Sequence, residues 1–252
     1  MQDILLFGAG IAVGVMNAIA GGGLLLGFPA LLAAGLSPLA ANITGSVIVL
    51  PGLVSSVYSY RRYLHGVPRR YAVLLIPCLV GGAVGAITLR LTTSDRFQEL
   101  VPGLVLFAVV LFAFQPFIHF RLRRHLHSKS KRPKSLVPMA LALLPMALYG
   151  GYFGAGVGFV MLAFLSFTKL HEIHQMNALK NLACGAIALV SITCLFSTHL
   201  INWRLGLVMA AGNFIGGYFG ARLAQRVSSH AIRVVVIIIG FSTAAYLGLR
   251  SY

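Results

Sequence analysis

Acidic residues are almost absent from this chain. Its 252 residues include four Asp and Glu against twenty Lys and Arg, and the four (Asp3, Asp95, Glu99 and Glu172) all lie away from the middle of any long apolar stretch. Intramembrane cation sites, proteases and phosphatases need carboxylates or metal ligands at such depths, so their scarcity argues against those classes. Cysteine is scarce too. Cys78, Cys184 and Cys194 fall in apolar segments with no C-x-x-C pair and no His at ligand spacing, which reads as buried, reduced thiols. Charged residues make up 10% of the chain, where a soluble domain holds about 25%. A chain this poor in charge and 58% hydrophobic has lipid as its solvent.

The formal net charge of +16 invites a nucleic-acid reading, which its location opposes. Arg61, Arg62, Arg69 and Arg70 form one basic loop, and Arg121, Arg123, Arg124, Lys129, Lys131, Arg132 and Lys134 form another. Two apolar spans separate them, so both lie on one side, which the positive-inside rule makes cytoplasmic. Anionic lipids at that face are the expected partners, and nucleic acid is not. The eight His fall in loops or at span ends; His171-Glu172-Ile173-His174 is not an H-E-x-x-H motif and reads as a solvated connector, so no metal site is assigned. Glu172 or a histidine beside it could take part in proton coupling. The N-terminal run to Ala20 faintly resembles a cleaved signal peptide, but it has no basic n-region and carries Asp3, so it is expected to be retained.

One offset organises the rest. Moving 135 residues along the chain takes Ala20, Gly21 and Gly23 to Ala155, Gly156 and Gly158, Asn42 to Asn177, and Arg69 to Arg204. The same step takes the Gly81-Gly82-x-x-Gly85-Ala86 run to Gly216-Gly217-x-x-Gly220-Ala221. The chain is therefore read as an all-α polytopic membrane protein of two repeats with about five hydrophobic segments each. Residues 1–120 form the first repeat, 121–135 a basic cytoplasmic linker and 136–252 the second. Loop charge reverses between the halves: the loop at 61–70 is basic, its counterpart at 197–204 holds one Arg, and Arg222, Arg226 and Arg233 mark the following loop as inside. That pattern predicts inverted topology with both termini outside.

The second segment of each repeat, 24–36 and 157–168, is too short to cross easily and follows a glycine run, which predicts a broken or re-entrant element. Irregular backbone at membrane depth survives only inside protein or beside a cavity. The runs Ala20 to Gly23 and Gly150 to Gly158 are the expected breaks, and backbone N–H groups of Gly21, Gly22, Gly23, Gly154 and Gly156 are candidate anion donors. Close packing is the competing reading, and the preferred one for Gly81, Gly82, Gly85 and their counterparts. Asn177, Lys180 and Asn181 are spaced i, i+3, i+4 on one helical face; Lys180 either snorkels to the interface or faces a polar cavity. In the first half Asn42 and Ser46 answer Asn177 and Asn181, while Gly45 stands where the second half has Lys180.

These motifs carry a resemblance. Asn17 to Gly23 leading to Phe28-Pro29-Ala30-Leu31-Leu32, then Gly35-Leu36-Ser37-Pro38, Ala41-Asn42, Leu50-Pro51-Gly52 and Tyr60-Arg61-Arg62, resemble the TauE/SafE family of sulfite exporters and related anion permeases. Gly151 to Gly156 and Asn177 to Asn181 are similar to that family's second half. The resemblance covers nearly the whole chain apart from the basic linker. It implies a permease in the bacterial cytoplasmic (inner) membrane for a small organic or sulfur-containing anion such as sulfite, a sulfonate or a carboxylate. The expected mechanism is alternating access without a cofactor, with Gly21, Gly22, Gly23, Asn42, Ser46, Gly154, Gly156, Asn177, Lys180 and Asn181 around the substrate. An anion channel remains an alternative, and a membrane-embedded enzyme a weaker one for want of a nucleophile and base.

Overall fold

The structure, a computed structural model, describes residues 2–19, 21–127, 137–165, 168, 170 and 172–224, all helix and connecting turn. Ala20, part of the basic linker, His171 and the predicted last segment at 232–249 lie outside these residues. In chain order the helices are α1 (Gln2–Ile19), α2 (Leu24–Ala33), α3 (Pro38–Ser59), α4 (Arg61–His65), a 3₁₀ turn (Arg69–Leu74), α5 (Leu75–Leu91), α6 (Ser94–His127), α7 (Val137–Tyr152), α8 (Val157–Leu165), α9 (Ile173–Leu195), a 3₁₀ turn (Phe196–Thr198) and α10 (Trp203–Ala224). Among the described residues, four stretches are long and apolar enough to cross a membrane: Gln2–Ile19, Pro38–Ser59, Arg69–Leu91 and Ile173–Thr198.

Local chemistry sets several boundaries. Ser37 caps α3, its hydroxyl accepting from the Ala40 N–H at 3.4 Å, and Pro38 occupies the first turn, where a missing N–H costs nothing. At 10 and 9 residues, α2 and α8 reach only about 15 Å, half of a hydrocarbon core, so neither crosses alone. Two boundaries differ from expectation. α6 continues through His127 into the stretch read as linker. α7 continues through Gly150 and Gly151, so the second break is confined to 153–156. Packing explains the latter: a Cβ on Gly151 would collide with the Gly82 carbonyl, and one on Gly150 would lie 2.9 Å from Val157 Cγ2.

Glycine also governs the long contacts. A Cβ on Gly10 would strike the Met209 backbone, one on Gly14 the backbone at Asn213 and Gly217, and one on Gly220 the Cα of Val15. The contacts climb α1 and α10 together, so these helices are parallel. α3 runs with them, with Thr44 beside Gly206, Ile48 accepting from Asn213, and Gly52 on Gly217. On the other side α5 and α7 are parallel, with Gly81 on Leu144 and Gly85 on Leu148, and α9 lies along α5 with Ile187 and Val190 on Gly82. α3 and α9 are antiparallel. Tyr60, at the end of α3, stacks with His174 at the start of α9, while Thr44 near the start of α3 accepts from Asn202 beyond the end of α9.

Candidate functional site

The two glycine breaks meet. Gly21 has φ +94°, a left-handed conformation open to glycine, and its carbonyl accepts from the Gly158 N–H at 3.2 Å. A Cβ at Gly21 would lie 2.6 Å from Gly158 Cα, so the chains cross with no room for a side chain. The second break turns on Gly154 and Gly156, with φ +76° and +79°, and is pinned by the Tyr149 hydroxyl, which donates to the Ala155 carbonyl at 2.7 Å.

Beside this crossing lies a cleft with about 530 Å³ of empty space, counting its open side. Gly21, Ser46, Gly154, Lys180 and Asn181 line it, together with Asn17 and Ser191, and Leu24, Val49, Leu53, Phe153 and Ile187 form apolar walls. The face of α9 that meets it runs 180, 184, 187, 188, 191, a helical stripe. Lys180 is 0% exposed. Its Nζ donates to the Asn17 carbonyl and to Asn177 Oδ1, each at 3.1 Å. An ammonium has three protons to donate. All four acids of the chain are described, and none pairs with Lys180; the ion pair found is Arg204 with Asp3 at 2.9 Å on the surface. Three other buried side chains on the cleft hold polar atoms with no hydrogen-bond partner among the described residues: Asn17 Nδ2, both polar atoms of Asn181, and Ser191 Oγ.

The remaining predicted residues stand behind this surface. Gly22 packs on the Phe159 ring. Asn42 Nδ2 donates to the Tyr152 carbonyl at 2.8 Å, Asn177 steadies Lys180, and Gly156 lies near Ala108. Three of the glycine N–H groups expected as anion donors have acceptors within the protein. The Gly21 N–H donates to Met16 O at 3.0 Å, Gly154 to Tyr149 O at 3.2 Å, and Gly23 to Asn17 Oδ1 at 2.7 Å. At these three positions the breaks satisfy their own donors, and buried side chains of the cleft hold polar atoms with no partner among the described residues.

A family model described as Sulfite exporter TauE/SafE matches residues 6–247. The chain belongs to the TauE/SafE sulfite exporter family. The chain is similar to a probable membrane transporter protein of Haemophilus influenzae, 29% identical over 96% of this chain and 92% of that protein. Probable membrane transporter protein ORF9 of Sinorhizobium is 26% identical over 98% and 95%. Probable membrane transporter protein YfcA of Escherichia coli K12 is 26% identical over 96% and 88%. No solved structure matches the chain. As a TauE/SafE family member the protein is a multi-pass membrane transporter and not an enzyme.

Within this TauE/SafE chain, two cleft residues escaped the sequence reading. Asn17 looked like one more residue ahead of a glycine run; the available signal was a polar side chain in the last turn before a break, able to reach back over it. Ser191 sits among Leu189, Val190 and Ile192, and only its place three turns along the stripe from Lys180 marks it.

Proposed function

We propose that the protein is a secondary transporter of the bacterial cytoplasmic membrane that carries one small organic or sulfur-containing anion by alternating access, with the cleft at Lys180 as its substrate site. The observation that carries this reading is a wholly buried lysine with no acid partner, sharing its cleft with the Asn17 Nδ2 group and the Asn181 amide, which have no partner among the described residues. A buried cation without a counter-ion is costly. A bound anion supplies the missing charge and the two amides supply neutral donors around it, while the Ser191 hydroxyl stands farther along the same cleft. Burial of these atoms favours a carrier over an open channel, whose lining groups stay hydrated.

Alternating access accords with inverted repeats. Each helix of the first half that has a described counterpart 135 residues on is matched in position: α1 by α7, α2 by α8, α3 by α9, and the 3₁₀ turn with α5 by α10. α3 and α9, so related, run in opposite directions, and the pairing of α1 with α10 answers that of α7 with α5. Rocking one set against the other about the Gly21–Gly158 crossing would open the cleft to each side in turn. Basic loops face the cytoplasm and its anionic lipids, and Glu172 or His174, the latter packed against Tyr60 and Tyr63, is the candidate for proton coupling.

The test is a thermal-shift screen of the purified protein against sulfite, alkanesulfonates and small carboxylates, followed by uptake of the best ligand into proteoliposomes with and without a proton gradient. Saturable uptake of an anion that also stabilises the protein is expected. Stabilisation by cations alone, or by no anion tried, would overturn the reading.

A further inference from the structure

The seam between α3 and α10 carries a second, unrelated constellation at its C-terminal end. Tyr58 and Tyr218 stack across the seam with ring centroids 6.4 Å apart and planes 30° apart. A guanidinium covers each ring: Arg61 Cζ lies 4.2 Å from the centroid of Tyr58, and Arg222 Cζ lies 4.5 Å from that of Tyr218. Arg61 is further fixed by donating to the Tyr58 carbonyl at 3.3 Å. Neither arginine has an acid partner among the described residues. Each cation is thus held on its own ring of the stacked pair, laid along an aromatic face rather than extended into water.

What lies beneath them is apolar. One turn back along each helix, at i−4, stand Val54 and Phe214, 55% and 52% exposed. Tyr58 itself is 57% exposed. On one helix face, i−4 places a residue directly below its partner. The seam therefore presents a strip of exposed hydrocarbon capped by aromatic rings and two guanidiniums. The ends of α3 and α10 lie together because these helices are parallel, and the basic loop at 61–70 follows directly, placing the cap at the cytoplasmic interface.

The repeat supplies an internal control. Shifting by 135, the equivalent seam between α9 and α5 keeps the apolar strip, with Leu189 for Val54 and Leu79 for Phe214, 55% and 41% exposed. It loses the cap: Thr193 replaces Tyr58, Phe196 replaces Arg61, Ala83 replaces Tyr218 and Ile87 replaces Arg222. Exposed hydrocarbon is common to both seams, but the tyrosine-stacked arginines occur on one.

We propose that the Arg61–Tyr58–Tyr218–Arg222 cap binds the phosphate of an anionic phospholipid of the cytoplasmic leaflet, whose acyl chain lies along the α3–α10 strip. Guanidiniums on the cap recognise the phosphate by charge-assisted hydrogen bonds, and the exposed strip beneath it suits an attached hydrocarbon chain. The assignment rests on the bilayer and the basic loop, not on which solute is carried, so failure of the transport reading leaves it standing.

The experiment is native mass spectrometry and thermal unfolding of the detergent-purified protein titrated with phosphatidylglycerol, phosphatidylcholine or inorganic phosphate. The wild type is expected to retain and be stabilised by phosphatidylglycerol over phosphatidylcholine, with no effect of inorganic phosphate at equal concentration. The double variant Arg61→Gln with Arg222→Gln is expected to bind phosphatidylglycerol about 10-fold more weakly, while Arg90→Gln with Arg204→Gln does not change. Introducing Phe196→Arg with Ile87→Arg on the opposite seam is expected to add a second retained lipid. Unaltered phosphatidylglycerol selectivity in the Arg61/Arg222 double variant would overturn the assignment, as would equal stabilisation by inorganic phosphate.

Discussion

Lys180 Nζ donates at 3.1 Å to the backbone carbonyl of Asn17, across 163 residues of chain. The relationship has a counterpart in the other half. Asn17 corresponds by the 135-residue step to Tyr152, whose carbonyl accepts at 2.8 Å from Asn42, the counterpart of Asn177. In each half, then, the carbonyl near the end of the first helix is bound by the third long helix of the other half. An amide does this on one side and an ammonium, held by Asn177, on the other. The capping of a helix end is symmetric; the charge is not. Where the second half has Lys180, the first has Gly45, whose added Cβ would meet the Leu24 side chain, so a side chain there would have to displace Leu24.

Replacing Lys180 by Gln keeps a donor for the Asn17 carbonyl and removes the charge. The protein should fold, and its affinity for the anion found by thermal shift should fall at least about 30-fold, the equivalent of about 2 kcal/mol, as for the loss of one member of a buried charge pair. Calorimetric titration of wild type and variant measures this. Equal affinities would remove Lys180 from the substrate site.

The crossing of the two breaks is tested by a pair of alanines. Gly21 and Gly35 have nearly the same φ, +94° and +93°, but a Cβ on Gly35 meets nothing within 4 Å while one on Gly21 meets Gly158 backbone. Gly35→Ala should therefore cost only the left-handed conformation, about 1–2 kcal/mol, and Gly21→Ala should cost distinctly more because backbone must also move. Melting temperatures in one detergent give the comparison. Similar losses for both would mean that the crossing is looser than it looks.

Much of this was legible beforehand for a physical reason. Glycine clusters and charged loops are rare events in an apolar chain, so the repeat, the short second segments and the isolated lysine stand out. The starts of α3 and α9, at 38 and 173, keep the 135-residue step to the residue. Donor assignment was less legible, because a glycine break can aim its N–H groups outward or use them itself. Gly21, Gly23 and Gly154 use theirs internally, and with Asn17 Oδ1 taken by Gly23, Asn17 Nδ2 has no partner among the described residues. α6 runs past its apolar stretch because a helix needs no hydrocarbon to continue, and its backbone bonds are made within the segment.

Ser191 offers a sharper test of the cleft's far end. A serine or threonine within a helix usually returns its hydroxyl to a carbonyl three or four residues back, as Thr88 does to Val84, Thr193 to Leu189, and Ser56 to Gly52. Ser191, 2% exposed, has no partner among the described residues and lines the cleft. It lies ten residues beyond Asn181 on the same helix, about 15 Å along the axis at 1.5 Å per residue. A compact anion at Lys180 and Asn181 cannot also reach it; an elongated one with a terminal hydroxyl can. Ser191→Ala should leave the affinity for short alkanesulfonates unchanged. It should weaken that for long ω-hydroxyalkanesulfonates about 3- to 10-fold, as expected for one neutral hydrogen bond of about 0.5–1.5 kcal/mol. Titrations along a chain-length series, with and without the terminal hydroxyl, separate the two effects. If the hydroxyl confers no advantage at any length in the wild type, Ser191 has no contact with the substrate and the anion sits wholly at the Lys180 end.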